Sequence, residues 1–269
     1  MKRYAVFGQP IAHSLSPRIH AAFAAQTGIA LEYRAIEAGH DAFADALARF
    51  ARAGGVGANV TLPLKQDALA LCRDISPRAR RCGSVNTLAR AGDGWHGDST
   101  DGVGLLRDLA ERHAFQPAGR RVLLLGAGGA ARAAAFALVD AGVGELVVAN
   151  RTRTRADALV EGLGAGARAT DLGALARAGR FDLVLDASAA GHAGGGIDLP
   201  HALFDQATLA YDLSYGPAAR RFLQAARAAG AGRCMDGLGM LVEQAAEAFE
   251  TWHGVRPATA PVYAWLRGD

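Results

Sequence analysis

The feature that most constrains the fold is a glycine-rich turn between an apolar segment and an alanine-rich one. The sequence GAGGAA (126–131) follows three leucines directly and opens a stretch with helical spacing. Glycine permits a tight reversal and lets a ligand approach the backbone, and the small Ala131, at the third-glycine position of GxGxxG, still allows close helix packing. The segment therefore predicts a strand, a turn and a helix of a doubly wound α/β sheet.

Strand-like and helix-like segments alternate in two stretches of the chain. Over residues 3–62 the order is strand, helix, strand, helix, strand, which predicts a parallel layer, and residues 84–100 then predict an added hairpin. From residue 120 a second series of almost wholly apolar strands follows, as expected when helices cover both faces of a parallel sheet. The two series predict an α/β protein with two domains.

The chain is long enough for two modest domains, since 269 residues exceed the usual size of one. We expect residues 1–101 to form an N-terminal open α/β domain that binds substrate and carries the catalytic groups. Residues 102–237 are expected to form a Rossmann-type doubly wound nucleotide-binding domain. The last predicted helix should return to the first domain, so that residues 238–269 pack back on it.

Composition excludes several classes of protein. With 51% hydrophobic and 20% charged residues the chain can build real cores, and its net charge of +3 is spread along the sequence rather than gathered in a nucleic-acid-binding run. No apolar stretch is long enough for a membrane span or a signal peptide, so we expect a cytoplasmic protein. Cys72, Cys82 and Cys234 lack metal-ligand spacing, and we expect small buried side chains and no metal.

The glycine-rich turn and the segment after the next strand together predict the cofactor. A helix N-terminus offers amide donors and a positive dipole end to phosphates, although a tight turn without a ligand is the alternative. Where an NAD site has a carboxylate, this chain has Asn150, Arg151 and Thr152, followed by Arg153 and Arg155. Arginine can bind a 2′-phosphate, so the sequence favours NADP, with a solvated arginine cluster as the alternative.

Polar side chains gather where the strands of the first domain end. Only two of the 29 basic residues are lysines, and one of these, Lys65, follows the third predicted strand. Asp101, 36 positions later, also follows a strand, and the ends of parallel strands are where open α/β sheets bind ligands. If the two side chains meet, they form a pair that can deliver and accept a proton. Ser16, before Pro17, is either a ligand residue or a helix N-cap.

Eight motifs in this order resemble the shikimate dehydrogenase family over essentially the whole chain: GQPIAHSLSP, NVTLPLK, GSVNT, STDGVG, GAGGAARA, NRTRTRA, YDLSYGP and GLGMLVEQAAEAFETWHG. The resemblance implies reversible, NADPH-dependent reduction of 3-dehydroshikimate to shikimate, an oxidoreductase step of chorismate and aromatic amino-acid biosynthesis. It implies Lys65 and Asp101 as the catalytic pair. The implied substrate contacts are Ser14 and Ser16 to the carboxylate, Thr61, Asn86, Asp101 and Gln244 to the ring hydroxyls, and Tyr215 nearby. The implied cofactor contacts are Gly126, Ala127, Gly128, Gly129, Ala130, Asn150, Arg151, Thr152, Arg155, Ser188, Gly237 and Met240.

The chain also departs from the family pattern at several positions. The departures are Ala21, Leu64, Ser99 and Arg220, and DASAAGH (186–192), with His192, where the family tends toward NATSxGM. They leave the implied substrate residues intact and bear on cofactor positioning. Two alternatives stay open: a related enzyme acting on quinate or another cyclitol carboxylate, and a non-catalytic NADP sensor. The expected partner is a small-molecule substrate, with no nucleic acid or membrane, and a homodimer is an open alternative.

Overall fold

The computed structural model describes residues 1–188 and 199–268. The chain divides into two compact units, a first unit of Met1–Leu105 with Leu241–Asp269 and a second unit of Leu106–Met240. The boundaries expected from sequence were 101/102 and 237/238, a few residues earlier in each case. Both divisions of the structure fall inside helices, where the hydrophobic pattern continues and carries no boundary signal.

The first unit contains a six-stranded sheet in the order β2-β1-β3-β5-β6-β4. Strands β1, β2 and β3 are parallel, and β5 and β6 form an antiparallel hairpin beside β3, so both expectations for this region are confirmed. The short α3, β4 and α4 were not expected, because two to six residues show no periodicity. The elements are β1 (Lys2–Gly8), α1 (Ser16–Thr27), β2 (Leu31–Glu37), α2 (His40–Arg52), β3 (Gly55–Val60), α3 (Lys65–Ala70), β4 (Asp74–Ile75), α4 (Pro77–Cys82), β5 (Thr87–Ala91) and β6 (Gly94–Asp98).

The second unit contains a parallel six-stranded sheet in the order β12-β11-β10-β7-β8-β9, a doubly wound arrangement that confirms the predicted fold class. The edge strands β9 and β12 were not predicted, because they are short and lack the apolar runs of the central strands. Short 3-10 helices cover 172–177, 201–203 and 216–218. The helices and strands that follow β6 along the chain, in both units, are α5 (Asp101–Glu111), β7 (Arg121–Leu125), α6 (Gly129–Asp140), β8 (Glu145–Ala149), α7 (Arg153–Glu161), β9 (Ala167–Thr170), β10 (Leu183–Asp186), β11 (Leu209–Asp212), α8 (Arg220–Ala228), β12 (Arg233–Asp236), α9 (Leu238–His253) and α10 (Ala260–Arg267).

The C-terminal helices complete the core of the first unit. Ile19 and Phe23 of α1 pack against Phe249 of α9 and Val262 of α10, and all four are almost fully buried. The indole nitrogen of Trp252 donates a hydrogen bond to the Leu88 carbonyl of β5 at 3.0 Å. The last long helix therefore packs back on the first helix, as its apolar spacing predicts, while α10 was not predicted.

The structure also bears on what the sequence predicts about membrane spans, cysteines and metal sites. Within residues 1–188 and 199–268 no helix is long and apolar enough to cross a membrane. None of the three cysteines is in a disulfide; Cys82 is buried, whereas Cys72 and Cys234 are only partly buried and pack against hydrophobic cores. Among the described residues no group of three or more His, Cys, Asp or Glu side chains could hold a metal ion.

Candidate active site

Lys65 and Asp101 are brought together by two helix starts in the first unit. After β3 the chain turns at Thr61, whose carbonyl accepts the backbone N–H of Leu64, so that Lys65 is the first residue of α3. Asp101 is the first residue of α5. The Lys65 ammonium donates to Asp101 Oδ2 at 2.5 Å, and the two side chains are only 14% and 6% exposed. The sequence predicts both residues, and the structure shows that they meet.

Asn86 binds the other oxygen of the same carboxylate. Its Nδ2 donates to Asp101 Oδ1 at 2.8 Å and to Thr100 Oγ1 at 2.9 Å, and its Oδ1 accepts the Thr100 backbone N–H at 2.8 Å. Asp101 therefore accepts one hydrogen bond on each oxygen, which is the arrangement an ionised carboxylate needs. The Asn86 side chain is 2% exposed, so its amide is held within the protein rather than by bulk water.

Gln244 joins the same polar cluster from α9. Its Oε1 accepts from Asn86 Nδ2 at 3.2 Å, and its Nε2 donates to the Leu241 carbonyl at 2.8 Å. Gly104 of α5 allows this approach, because a Cβ there would lie 2.7 Å from the Gln244 backbone nitrogen. Gly8 has the same role beside Thr61, whose Cγ2 would lie 2.5 Å from an added Cβ.

Ser14 and Ser16 lie at the start of α1. The Ser14 hydroxyl accepts the Ser16 backbone N–H at 3.3 Å, and Ser16 is 6% exposed. The N-cap position is occupied by Leu15, which makes no side-chain capping bond. The alternative reading of Ser16 as the N-cap is therefore wrong, because Pro17 fits one residue further into the helix than that reading assumed. The Ser16 hydroxyl is thus not used in capping.

Four residues of this cluster were missed by sequence reasoning: Tyr33, Asn59, Thr87 and Thr100. Asn59 is a polar residue inside the otherwise apolar β3, and that exception is the signal by which it could have been found. It is 5% exposed, and its Oδ1 accepts the Tyr33 hydroxyl at 2.7 Å. Tyr33 carried no such signal, since an aromatic residue is ordinary in a β-strand.

The glycine-rich turn of the second unit has the geometry of a nucleotide-binding loop. Gly126 has φ +111°, and a Cβ there would lie 2.9 Å from the Ala187 backbone, so both conformation and space require glycine. Gly128 is the N-cap of α6, and an added Cβ there would meet no atom of the described residues within 4 Å. Ala131 is fully buried, in keeping with close helix packing. Open space in front of a helix N-terminus fits a pyrophosphate.

The loop after β8 presents arginines instead of a carboxylate. Asn150 Nδ2 donates to the Thr152 carbonyl at 2.9 Å, and α7 begins at Arg153. Arg153 is already paired with acidic side chains, at 2.8 Å from Asp157. Arg151 and Arg155 are exposed, and within residues 1–188 and 199–268 neither forms an ion pair. This donor set fits a 2′-phosphate, with Arg151 and Arg155 as its available cations.

The remaining predicted residues lie around the ends of β10, β11 and β12. Ser188 donates its backbone N–H to Asp186 at 2.9 Å, Gly237 packs with no room for a side chain against Leu213, and Met240 is buried in α9. Tyr215 follows β11 in the second unit. His192 and the rest of the departure at 189–192 lie outside the described residues.

Three aspartates lie in register at the carboxyl ends of neighbouring strands in the second sheet. Asp212 of β11 pairs with Asp186 of β10 on one side and Asp236 of β12 on the other. Burial, together with the negative charge of Asp186, raises the pKa of Asp212 to about 7. Burial also raises the pKa of Asp186. The two neighbouring acids therefore hold protons to higher pH than free aspartates do.

Comparison with known proteins identifies the family. Family models match residues 6–88 (shikimate dehydrogenase substrate binding domain), 108–193 (shikimate / quinate 5-dehydrogenase) and 237–267 (shikimate 5'-dehydrogenase C-terminal domain). The chain is 56% identical to a shikimate dehydrogenase (NADP(+)) of Xanthomonas campestris pv. campestris strain 8004, covering 99% of this chain and 96% of the relative. It is 52% identical to the enzyme of that name from Xylella fastidiosa strain M12, covering 100% and 97%.

Solved structures agree with the sequence relatives. A shikimate 5-dehydrogenase from Thermus thermophilus, in complex with NADP(H) and shikimate, is 38% identical with a TM-score of 0.87, covering 100% of this chain and 99% of that one. An Ael1 enzyme from Pseudomonas putida is 43% identical with a TM-score of 0.91, covering 99% and 98%. With matches along its whole length and the buried lysine–aspartate pair in place, this chain belongs to the shikimate dehydrogenase family.

Proposed function

We propose that the protein catalyses the reversible reduction of 3-dehydroshikimate to shikimate by NADPH, in chorismate and aromatic amino-acid biosynthesis. The observation that carries the proposal is the buried contact between Lys65 and Asp101 at the strand ends of the first unit. A structural ion pair has no need of lysine in a chain that uses arginine for 27 of its 29 basic residues. Lysine differs from arginine in that it can give up a proton.

The reaction needs one hydride and one proton. Bound NADPH supplies the hydride to the carbonyl carbon. Lys65 donates its proton to the carbonyl oxygen as negative charge develops there, and the neutral amine regains a proton from solvent. Asp101 orients the ammonium, and in the oxidative direction the pair accepts the alcohol proton. Asn86 holds Asp101 through its second oxygen at 2.8 Å.

The other polar residues of the first unit fit a hydroxylated ring acid. We assign the hydroxyls of Ser14 and Ser16 to the substrate carboxylate, because they lie two residues apart at the start of α1, where Leu15 occupies the N-cap position. Thr61, Asn86, Asp101 and Gln244 are assigned to the ring hydroxyls, and Tyr215 of the second unit to the substrate.

The cofactor is assigned to the second unit. The residues proposed to hold the pyrophosphate and ribose are those of the glycine-rich turn, Gly126 to Ala130, and of the β8–α7 loop, with Arg151 and Arg155 at the 2′-phosphate and Ser188, Gly237 and Met240 toward the nicotinamide. The open space at Gly128 supports the pyrophosphate, which NAD and NADP share, and the absence of a carboxylate at Asn150 supports NADP over NAD.

A second candidate function is oxidation of quinate or a related polyol acid. One of the matching family models covers both shikimate and quinate dehydrogenases, and a 5-ketofructose reductase of Gluconobacter is 28% identical with a TM-score of 0.81. A sensor without catalysis is disfavoured by the intact Lys65–Asp101 pair.

Absorbance at the NADPH band tests these functions directly. Purified protein is mixed with NADP and shikimate, then with quinate, and each pair is repeated with NAD. We expect rapid NADPH formation with shikimate, weak turnover with quinate and weak turnover with NAD. Tight NADP binding without turnover of any cyclitol acid would instead support the sensor, and preference for quinate the second candidate.

Location and assembly complete the proposal. The enzyme would act in the cytoplasm, with a small-molecule substrate as its partner, and it would be a monomer or a homodimer. Light scattering on the 27.8 kDa chain after size exclusion separates the two states.

A further inference from the structure

We propose that Tyr33 is a positioning residue for this reaction, because its hydroxyl begins a directed chain of hydrogen bonds that ends on Asp101. The inference rests on the proposed function, in which Lys65 and Asp101 are the reacting pair. Every link of the chain lies within the first unit, and the links run from β2, past the intervening β1, to β3 and β5 and then to the start of α5.

The first half of the chain fixes the orientation of the Asn59 amide. The Tyr33 hydroxyl donates to Asn59 Oδ1 at 2.7 Å. With its oxygen engaged there, Asn59 directs Nδ2 to Thr87 Oγ1 at 3.2 Å and to the Asn86 carbonyl at 3.3 Å. Burial raises the pKa of Tyr33 well above its ordinary value and outweighs the lowering by its hydrogen bond with the Ser16 side chain, so the hydroxyl keeps its proton and remains a donor at neutral pH.

The second half passes the same orientation to Asn86. A threonine hydroxyl has a single proton, and Thr87 Oγ1, which accepts from Asn59, has Asn86 Oδ1 at 3.0 Å as a nearer acceptor for it than Thr100 Oγ1 at 3.3 Å. The Thr87 hydroxyl and the Thr100 backbone N–H together hold Asn86 Oδ1 as the acceptor, and Asn86 Nδ2 faces Asp101 Oδ1 at 2.8 Å. Lys65 binds the opposite oxygen of the same carboxylate.

The orientation matters because the two ends of an asparagine amide are nearly equal in shape and opposite in hydrogen bonding. If Asn59 turned over, its oxygen would face Thr87 and draw the threonine proton away from Asn86. Asn86 would keep the bond from the Thr100 backbone N–H and lose the one from Thr87. The hold on Asp101 would therefore loosen without being lost.

The ring of Tyr33 has a separate, structural role. It stacks on His20 with centroids 4.2 Å apart and planes 8° apart. Burial lowers the pKa of His20 to about 3, so this histidine is uncharged and serves as a packing surface. Tyr33→Phe keeps this stacking and removes only the hydroxyl, which separates positioning from packing.

The test compares Tyr33→Phe with Tyr4→Phe. Tyr4 belongs to the same aromatic cluster, with its ring 4.6 Å from that of Trp252, and its hydroxyl is outside the chain of hydrogen bonds. For Tyr33→Phe we expect kcat to fall about tenfold, as for the loss of one buried hydrogen bond, with a larger primary isotope effect from deuterated NADPH. Tyr4→Phe should match the wild type.

A second readout does not depend on activity. In ¹⁵N–¹H spectra the side-chain amide of Asn86 should shift in Tyr33→Phe and stay in place in Tyr4→Phe. An unshifted Asn86 amide overturns the proposal whatever the activity, and a shifted amide with unchanged kcat overturns the role in catalysis. Failure of the proposed function can be told apart from failure of this proposal, because the wild-type protein would then not turn over shikimate.

Thr87→Val provides an independent break in the chain, should Tyr33→Phe fail to fold. It removes the middle donor, and we expect the same fall in kcat and the same shift of Asn86. The double variant should be no slower than either single variant, because one chain is broken twice. Multiplied effects in the double variant would contradict a single chain.

Discussion

The residues of the candidate site differ in how visible they are in the sequence. Lys65 and Asp101 follow strands, and an open α/β sheet gathers its ligand residues there. The rest of the cluster depends on which strands become neighbours: Asn59 and Thr87 touch because β3 pairs with β5. Residue type alone carries no record of that pairing, so the sequence predicts the reacting groups and, through the family resemblance, Asn86, but not Tyr33, Asn59 or Thr87.

The cofactor preference is a prediction at the residue scale. Replacing both Arg151 and Arg155 by serine should raise the dissociation constant for NADP at least tenfold, because charge-assisted hydrogen bonds to the 2′-phosphate are lost. The constant for NAD, which has no such phosphate, should change little. Calorimetric titration with each nucleotide measures both.

Arg180→Ser is the matched control. Arg180 is also an exposed arginine of the second unit; it lies before the start of β10 and pairs with Asp205, whereas Arg151 and Arg155 follow the end of the parallel strand β8. It should leave NADP binding unchanged. Equal losses for NADP and NAD in the double variant would remove these arginines from the 2′-phosphate.

At the scale of elements, the sequence predicts the central strands and long helices and misses the edges. The central strands β7, β8, β10 and β11 are covered by helices on both faces and are recognisable as apolar runs. The edge strand β9 is polar, and α3 and α4 have six residues each, too few to show a period. Their structure is decided by tertiary packing, which the local sequence pattern does not reveal.

The turn between β7 and α6 gives a prediction at this scale. Gly126→Ala should lower the melting temperature and weaken NADP binding, because the residue combines positive φ with a backbone contact at 2.9 Å. Gly173→Ala is the control, since an added Cβ there meets no described atom within 4 Å. Thermal unfolding with and without NADP tests both. Equal behaviour of the two variants would contradict the account.

The aspartates at the ends of β10 and β11 give a pH prediction. Burial and the charge of Asp186 raise the pKa of Asp212 to about 7, so the folded state binds its proton more tightly than the unfolded state. This contribution to stability is complete below about pH 4 and is lost as pH rises through 7. Asp212→Asn should therefore melt at a higher temperature than the wild type at pH 8, and the gap should shrink toward pH 5.

Asp45 is exposed, and Asp45→Asn is the control variant for the Asp212→Asn melting curves. Melting curves at several pH values between 5 and 8 measure the effect. A gap between Asp212→Asn and wild type that is constant over this range would show that Asp212 does not titrate as described.

For the whole molecule, ion pairs tie the C-terminal segment to the hairpin of the first unit. Arg78 of α4 pairs with Asp98 of β6 and with Glu247 of α9. Although burial alone would raise the pKa of Asp98, hydrogen bonds from Arg78 and Ser76 hold it below its ordinary value. These contacts join parts of the chain that are far apart in sequence, and only the apolar spacing of the last helix indicates that it returns.

Removing Arg78 should be costly, because the buried Asp98 would lose its cation and keep only the hydrogen bonds from Ser76 and the Ser99 backbone. We expect Arg78→Met to lower the free energy of unfolding by about 2–3 kcal/mol, less than for a fully buried pair because the Arg78 side chain is 38% exposed. Arg73→Met is the control: its pair with Asp93 is exposed, at 71% and 92% of the side chains, and should be worth at most about 1 kcal/mol. Urea unfolding compares them, and equal costs would contradict the account.

The central claim is that Lys65, held by Asp101, transfers the proton. The most direct measurement is steady-state turnover of Lys65→Ala with shikimate and NADP, beside Lys2→Ala, the other lysine of the chain. We expect kcat to fall by about 10²- to 10⁴-fold in Lys65→Ala, the usual contribution of a general acid–base group, with KM within a few-fold and Lys2→Ala unchanged. A Lys65→Ala enzyme that keeps near-normal kcat would contradict the account.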